Sequence, residues 1–117
     1  MNPAETVIYN RLESHRKIFF HEIKNYSMYI QYHPEEEAKE LTLIMAGDFQ
    51  NIGFVLEEYH QSLVPGSESF NLLTDLTSKI LMFFSEKEKL ELAQMSQKID
   101  EIGLAYCTLQ SHLETQQ

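Results

Sequence analysis

The chain has 117 residues, 43 % of them apolar and 23 % charged, a composition typical of an ordinary globular domain with one modest core. The net charge of −9 argues against nucleic acid and against anionic membrane surfaces as partners, because both require clustered Lys and Arg. A single folded domain over residues 1–117 is therefore expected.

The charge is unevenly distributed along the chain. Counting Asp and Glu against Lys and Arg gives +1 over residues 1–33, −6 over 34–63, −1 over 64–84 and −3 over 85–117, which sum to −9. The second segment is therefore predicted to carry the acidic surface.

The compartment is predicted from the N-terminal sequence and from the cysteine content. No basic start followed by an apolar run opens the chain, and no window approaches the roughly 18 apolar residues of a membrane span. The single cysteine, Cys107, lies within an amphipathic pattern, and a buried, inert thiol is expected. A cytoplasmic protein without a membrane segment is therefore expected.

The first helix is predicted over residues 3–32. Asn2 followed by Pro3 is typical of an N-cap and a first helical position, and Pro34 disfavours helical backbone at the residue before it. Between them, apolar residues and one histidine recur at steps of three and four. This stripe contains Ile8, Leu12, His15, Phe19, Ile23, Tyr26 and Ile30.

The second helix is predicted over residues 34–63. Its first turn carries the three glutamates 35–37, which favour the positive end of the helix dipole, and Pro65-Gly66 ends the pattern. Gly47 and Gly53 lie inside it, and they either admit a neighbouring helix closely or are tolerated on the surface.

Helices three and four are predicted over residues 68–84 and 86–113. The string Ser85-Glu86-Lys87-Glu88 fits a capping box at the start of the fourth helix. Short connections between helices favour antiparallel neighbours, so the fold class is all-α, an antiparallel four-helix bundle. Because the third helix is short, the ends of the first two are expected to pack unevenly or against a partner, such as a second copy in a homodimer.

His21 is the residue that raises a chemical question. At 100° per residue it lies about 200° from Phe19, so it faces away from the apolar stripe. Asn25, one turn further on, lies about 40° from His21 on the same exposed face.

The string His21-Glu22-Ile23-Lys24-Asn25 resembles the H-box of sensor histidine kinases, in their dimerisation and histidine-phosphotransfer domain. The resemblance implies that His21 accepts phosphate, that Glu22 assists proton transfer and that Asn25 positions a water. It also implies a helical hairpin that dimerises into a four-helix bundle. Tyr26 stands where that family usually has proline, and no glycine-rich ATP-binding boxes follow, so self-phosphorylation is not expected.

Metal and cofactor motifs are not apparent in the sequence. Asn25 occupies the position of the second histidine of a His-Glu-x-x-His zinc helix. The segment from Glu57 to His60 provides one Glu-x-x-His, whereas di-iron bundles use two. No nucleophile elbow or phosphate loop is present, so neither a metal nor a cofactor is expected.

These observations lead to two functional expectations. The first is a small cytoplasmic bundle that acts as a non-catalytic regulatory or protein-interaction module, presenting the acidic face of helix two. The alternative is a histidine phosphotransfer protein, or a mimic of the kinase hairpin, in a bacterial phosphorelay. In that case His21 is the phosphoacceptor and Glu22 and Asn25 assist it.

Overall fold

The computed structural model describes residues 1–116, apart from the side chain of Ile30, which belongs to the predicted first stripe and lies outside the described part. Within residues 1–116 there are four α-helices, α1 (Pro3–Tyr32), α2 (Glu35–Glu57), α3 (Glu68–Glu86) and α4 (Leu92–Thr115), and no strand. Each helix packs against the next along the chain, and α1 also packs against α4. The predicted all-α four-helix bundle is confirmed.

The bounds of α1 agree with the sequence prediction because strong local signals mark both ends. The Asn2 side chain accepts a hydrogen bond from the Glu5 amide at 2.8 Å, and the Glu5 carboxylate accepts one from the Asn2 amide at 3.2 Å. This capping box gives hydrogen-bond acceptors to two backbone N–H groups that have no partner within the helix. At the other end His33, which precedes Pro34, has an extended backbone with φ −123° and ψ 154°.

The predicted C-terminal ends of the other helices are wrong by two to six residues, whereas the start of α3 at Glu68 is confirmed. Helix α2 ends at Glu57 instead of residue 63, and a single 3₁₀ turn (His60–Ser62) follows it. His60 contributes to this ending, because its Nδ1 lies 3.2 Å from the Glu57 carbonyl and its Nε2 lies 3.0 Å from Thr74 Oγ1. The tighter turn leaves Leu63 buried in the core.

The predicted capping box at Ser85 is also wrong. Helix α3 runs through to Glu86, and the Ser85 hydroxyl donates to the Met82 carbonyl, a bond made inside a helix. A 3₁₀ turn (Lys87–Lys89) follows, and α4 begins at Leu92 with Glu91 as its N-cap. The Glu91 amide donates to Gln94 Oε1 at 2.9 Å, which completes a capping box six residues later than predicted.

The core is one cluster of buried side chains from all four helices. Phe19 is at its centre, with its ring centroid 4.8 Å from that of Phe49 on α2 and 4.5 Å from that of Tyr106 on α4. Phe20 packs against the same cluster. Cys107 is exposed, contrary to prediction, because its neighbour Tyr106 occupies the core-facing position.

The α1–α2 hairpin extends beyond the other two helices. At 1.5 Å per residue α1 is about 45 Å long, whereas α3 is about 28 Å and α4 about 36 Å. The other end of the bundle is level, because the Met1 ammonium donates to the Gln116 carbonyl at 2.8 Å. We call residues 25–41, which comprise the end of α1, the turn and the start of α2, the hairpin end; Tyr26 and Ala38 within it are buried.

None of the helices in residues 1–116 is both long enough and apolar enough to cross a membrane.

Candidate functional site

His21 is exposed on α1, as its helical phase predicts, and Asn25 is its hydrogen-bond partner. Asn25 Nδ2 lies 3.0 Å from His21 Nε2. When the amide donates this bond, Nε2 is the acceptor and the neutral ring carries its proton on Nδ1. Two of the three predicted site residues are therefore together.

Glu22 is not part of this pair, because consecutive residues of a helix diverge by about 100°. Its half-buried carboxyl group interacts instead with Asp48 on α2. Burial raises the pKa of Glu22 to about 7, with a further contribution from the hydrogen bond and negative charge of Asp48. Near neutral pH, Glu22 is therefore protonated in part and shares hydrogen bonding with Asp48.

The surroundings of His21 on α1 are basic. Lys17 lies one turn before it and Lys24 lies three residues after it, and both side chains are exposed. Residues spaced by three and four are neighbours on a helix surface. The outer face of α1 therefore places two positive charges around His21, while Glu22 faces α2.

A groove of about 450 Å³ begins one turn beyond His21, at the hairpin end. Every lining residue comes from α1, α2 or the turn between them. Most of the lining is apolar, and Met28 and Tyr32 are 54 % and 79 % exposed. The groove is lined by Asn25, Met28, Tyr29, Tyr32, His33 and Leu41.

Tyr29 and His33 form a rigid wall of this groove. Their rings are stacked, with centroids 3.6 Å apart and planes within 1° of parallel, and His33 Nδ1 lies 2.9 Å from the Tyr29 carbonyl. The Tyr29 hydroxyl donates to Glu37 Oε2 on α2 at 3.4 Å. Desolvation and the negative charge of Glu37 raise the pKa of Tyr29.

An acidic rim lies on the first turns of α2, and two of its members, Glu37 and Glu40, act electrostatically on Tyr29 of the groove wall. We define it as residues 35–37 and Glu40, four exposed glutamates. Lys39 pairs with Glu35 across 3.7 Å, which leaves a net charge of −3 over residues 35–40. This is the acidic surface that the charge distribution predicts for the second segment.

A second polar cluster, which sequence reasoning did not find, lies at the level end of the bundle. Ser69 Oγ lies 2.6 Å from Glu5 Oε2 and 3.0 Å from His112 Nε2, and His112 Nδ1 lies 3.6 Å from Glu68 Oε2. These residues line a cavity of about 330 Å³. The order serine, histidine, carboxylate resembles the arrangement of a hydrolase triad.

The hydrogen-bond partner to which the Ser69 hydroxyl donates argues against a hydrolase mechanism. The hydrogen bond from Ser69 lowers the pKa of Glu5, so near neutral pH this carboxylate is ionised and can only accept. The single Ser69 proton therefore goes to Glu5, and Ser69 Oγ accepts from His112. A nucleophilic serine needs the reverse, with its proton on the histidine side, and Ser69 is also buried, at 5 % exposure. The cluster joins three helix ends.

The carboxylates and histidines do not converge on a metal. Within residues 1–116 no group of three or more His, Cys, Asp or Glu side chains is arranged to hold a metal ion. The chain was also compared with known proteins, and no family model, curated protein or solved structure matches it.

Proposed function

We propose that this protein is a non-catalytic interaction module whose binding surface is the groove at the hairpin end. The observation that carries the proposal is the groove itself, with large apolar side chains that no part of α3 or α4 covers. Exposed apolar patches rimmed by polar residues mark interaction sites in soluble proteins. The rim of glutamates supplies the polar border here.

Site-specific photo-cross-linking in the source cell tests this proposal. A photoreactive residue in place of Tyr32 is expected to form a discrete adduct, and Met28→Asp is expected to abolish it. Leu104 is the matched control, because it is 70 % exposed but lies on α4, away from the groove. Equal adducts at both positions, or adducts at Leu104 alone, would contradict the proposal.

Histidine phosphotransfer is the second candidate, and the pairing of His21 with Asn25 favours it. His21 Nε2 is held as an acceptor by the Asn25 amide, a bond that must break before this nitrogen attacks phosphorus, and Lys17 and Lys24 are placed to attract a phosphoryl group. The groove begins at Asn25, so a protein docked there would lie beside the ring. Glu22 is the residue that supports this candidate least, since it faces Asp48.

Phosphate transfer separates the two candidates. The purified chain would be incubated with phosphorylated receiver domains and assayed for acid-labile phosphate. Transfer that His21→Ala abolishes and His33→Ala preserves would support the phosphotransfer protein. If no donor labels the chain, or if label persists in His21→Ala, this candidate is discarded.

A further inference from the structure

We propose that the occupant of the groove is a basic amphipathic helix of another protein, with apolar side chains inserted between Tyr32 and Leu41 and cationic side chains over the acidic rim. This inference rests on the proposed function, because it names the class of partner for the same surface. Three properties of the groove support it.

The first property is the backbone of the groove walls. An extended peptide binds by adding a strand to a sheet edge, and residues 1–116 contain no strand. Apart from the last carbonyls of α1 and the first amides of α2, the backbone groups of these helices are used within the helices themselves. A partner therefore gains affinity chiefly by burying side chains. An amphipathic helix does this by laying one apolar face into the groove.

The second property is the chemistry of the apolar lining. Met28 is flexible and adapts to the shape of an inserted side chain, while Tyr32 offers a large exposed ring. A proline-rich segment would need several free aromatic faces. In this groove one face of Tyr29 is covered by His33, whose ring is stacked on it. The lining therefore fits aliphatic or aromatic anchors of a helix better than a polyproline ligand.

The third property is charge. Glu36 and Glu40 are four residues apart on α2, and neither makes a side-chain hydrogen bond or ion pair with any other residue in the described part of the chain. Like charges at this spacing repel each other and destabilise a helix. A lysine or arginine of a partner would relieve this repulsion and would also be steered toward the rim.

The same charges argue against a second copy as the occupant. Each chain carries −9, and a symmetric contact through the hairpin end would bring two acidic rims together. Like charges facing each other across an interface oppose association. A second copy, one of the alternatives that the sequence leaves open, is therefore the less favourable occupant of this groove.

A peptide panel tests the proposal on the intact chain. Three helical peptides share one Leu- and Trp-containing apolar face and carry Lys/Arg, Gln/Ser or Asp/Glu on the other. By calorimetry the basic peptide is expected to bind, about tenfold or more tighter than the neutral one, and to weaken severalfold when NaCl rises from about 50 to about 300 mM. The acidic peptide is expected not to bind.

Matched variants locate the binding. Glu36→Gln with Glu40→Gln should weaken the basic peptide several-fold, and Tyr32→Ala should weaken it further. The control is Glu57→Gln with Glu58→Gln, an exposed glutamate pair at the opposite end of α2, which should leave the affinity within about twofold. Equal effects of both glutamate pairs would overturn the proposal.

The remaining outcomes separate this proposal from the proposed function. Equal or tighter binding of the neutral or acidic peptide overturns the partner class, and so does the absence of peptide binding when the Tyr32 cross-link still forms. A dimer in light scattering that Tyr32→Ala dissociates also overturns it, because the occupant is then a second copy. If neither peptide binding nor the Tyr32 cross-link is observed, both proposals fail.

Discussion

Gly53 of α2 lies directly against Ile80 of α3. A Cβ atom added at Gly53 would lie 2.9 Å from Ile80 Cγ2, closer than real Cβ contacts occur, and Gly53 is buried. Gly47, nearly two turns earlier on the same helix, would meet nothing within 4 Å. Each of the two roles that the sequence leaves open is therefore found at one glycine. Gly53 allows a neighbouring helix to approach closely, and Gly47 is tolerated where there is open space.

Alanine substitution at the two glycines is predicted to have opposite effects. Gly53→Ala should lower the free energy of unfolding by about 1–3 kcal/mol, because the methyl group forces α2 and α3 apart. Gly47→Ala should raise it by up to about 1 kcal/mol, because alanine has the better helix propensity. Urea denaturation measures both values, and a change of the same sign in the two variants would contradict the packing described for α2 and α3.

Two buried tyrosines are predicted to respond differently to removal of the hydroxyl group. Tyr106 donates to the Leu12 carbonyl, so Tyr106→Phe should cost about 0.5–1.5 kcal/mol. Tyr26 Oη is buried and makes no hydrogen bond of good geometry among residues 1–116, with the Thr42 and Ser96 hydroxyls nearby. Tyr26→Phe should therefore be neutral or stabilising by about 1 kcal/mol. Denaturation midpoints measure both changes in stability. A larger loss of stability in Tyr26→Phe than in Tyr106→Phe would contradict the hydrogen bonding described for the two hydroxyl groups.

The raised pKa of Glu22 predicts a pH dependence opposite to that of most carboxyl groups. Its pKa is about 7 in the folded protein and 4.5 in its ordinary state, so between these values the folded state holds the proton more tightly. The contribution of Glu22 to the free energy of unfolding should therefore fall as the pH rises from about 4.5 to about 7 and stay level above.

Glu22→Gln is the variant that tests this dependence. At pH 8 it should be more stable than the parent by about 1 kcal/mol or less, since solvent screens a half-buried group, and the difference should vanish near pH 4. The exposed Glu36→Gln serves as the control and should show no such trend. A gain in stability that is the same at both pH values would show that the ionisation of Glu22 is not its cause.

The Ser69 cluster is predicted to stabilise the bundle without catalysing hydrolysis. Ser69→Ala leaves Glu5 and His112 without their shared partner, and should lower the free energy of unfolding by about 1–3 kcal/mol. Ser85→Ala is the control at an exposed helical serine and should change it by about 0.5 kcal/mol or less. Turnover of a model ester that Ser69→Ala abolishes would contradict the structural role.

Local signals in the sequence account for the correct part of the fold prediction. The Asn2 capping box and Pro34 act within four residues, so the bounds of α1 follow from the sequence. The end of α2 depends on His60 reaching Thr74, fourteen residues away, which no local pattern reveals. Ser85 matched a capping motif whose serine lies inside α3 in the folded chain.

In the candidate site, too, features within one helix could be predicted from the sequence, whereas contacts between helices could not. Helical phase alone predicts that His21 and Asn25 share an exposed face, because both belong to one helix. The contact of Glu22 with Asp48 joins two helices and depends on their register, which short motifs do not specify. The Ser69 cluster joins residues that are 43 and 64 positions apart. The groove depends on the unequal lengths of the four helices. The sequence indicated only that the third helix is short.

The most direct test of the account is a map of backbone amide shifts when the isotopically labelled chain is titrated with the basic helical peptide. We expect the changes to lie in residues 25–41, with saturation at one peptide per chain. Changes centred on Ser69 and His112 or spread along α4, or no changes at all, would contradict the claim that the hairpin end is the binding surface.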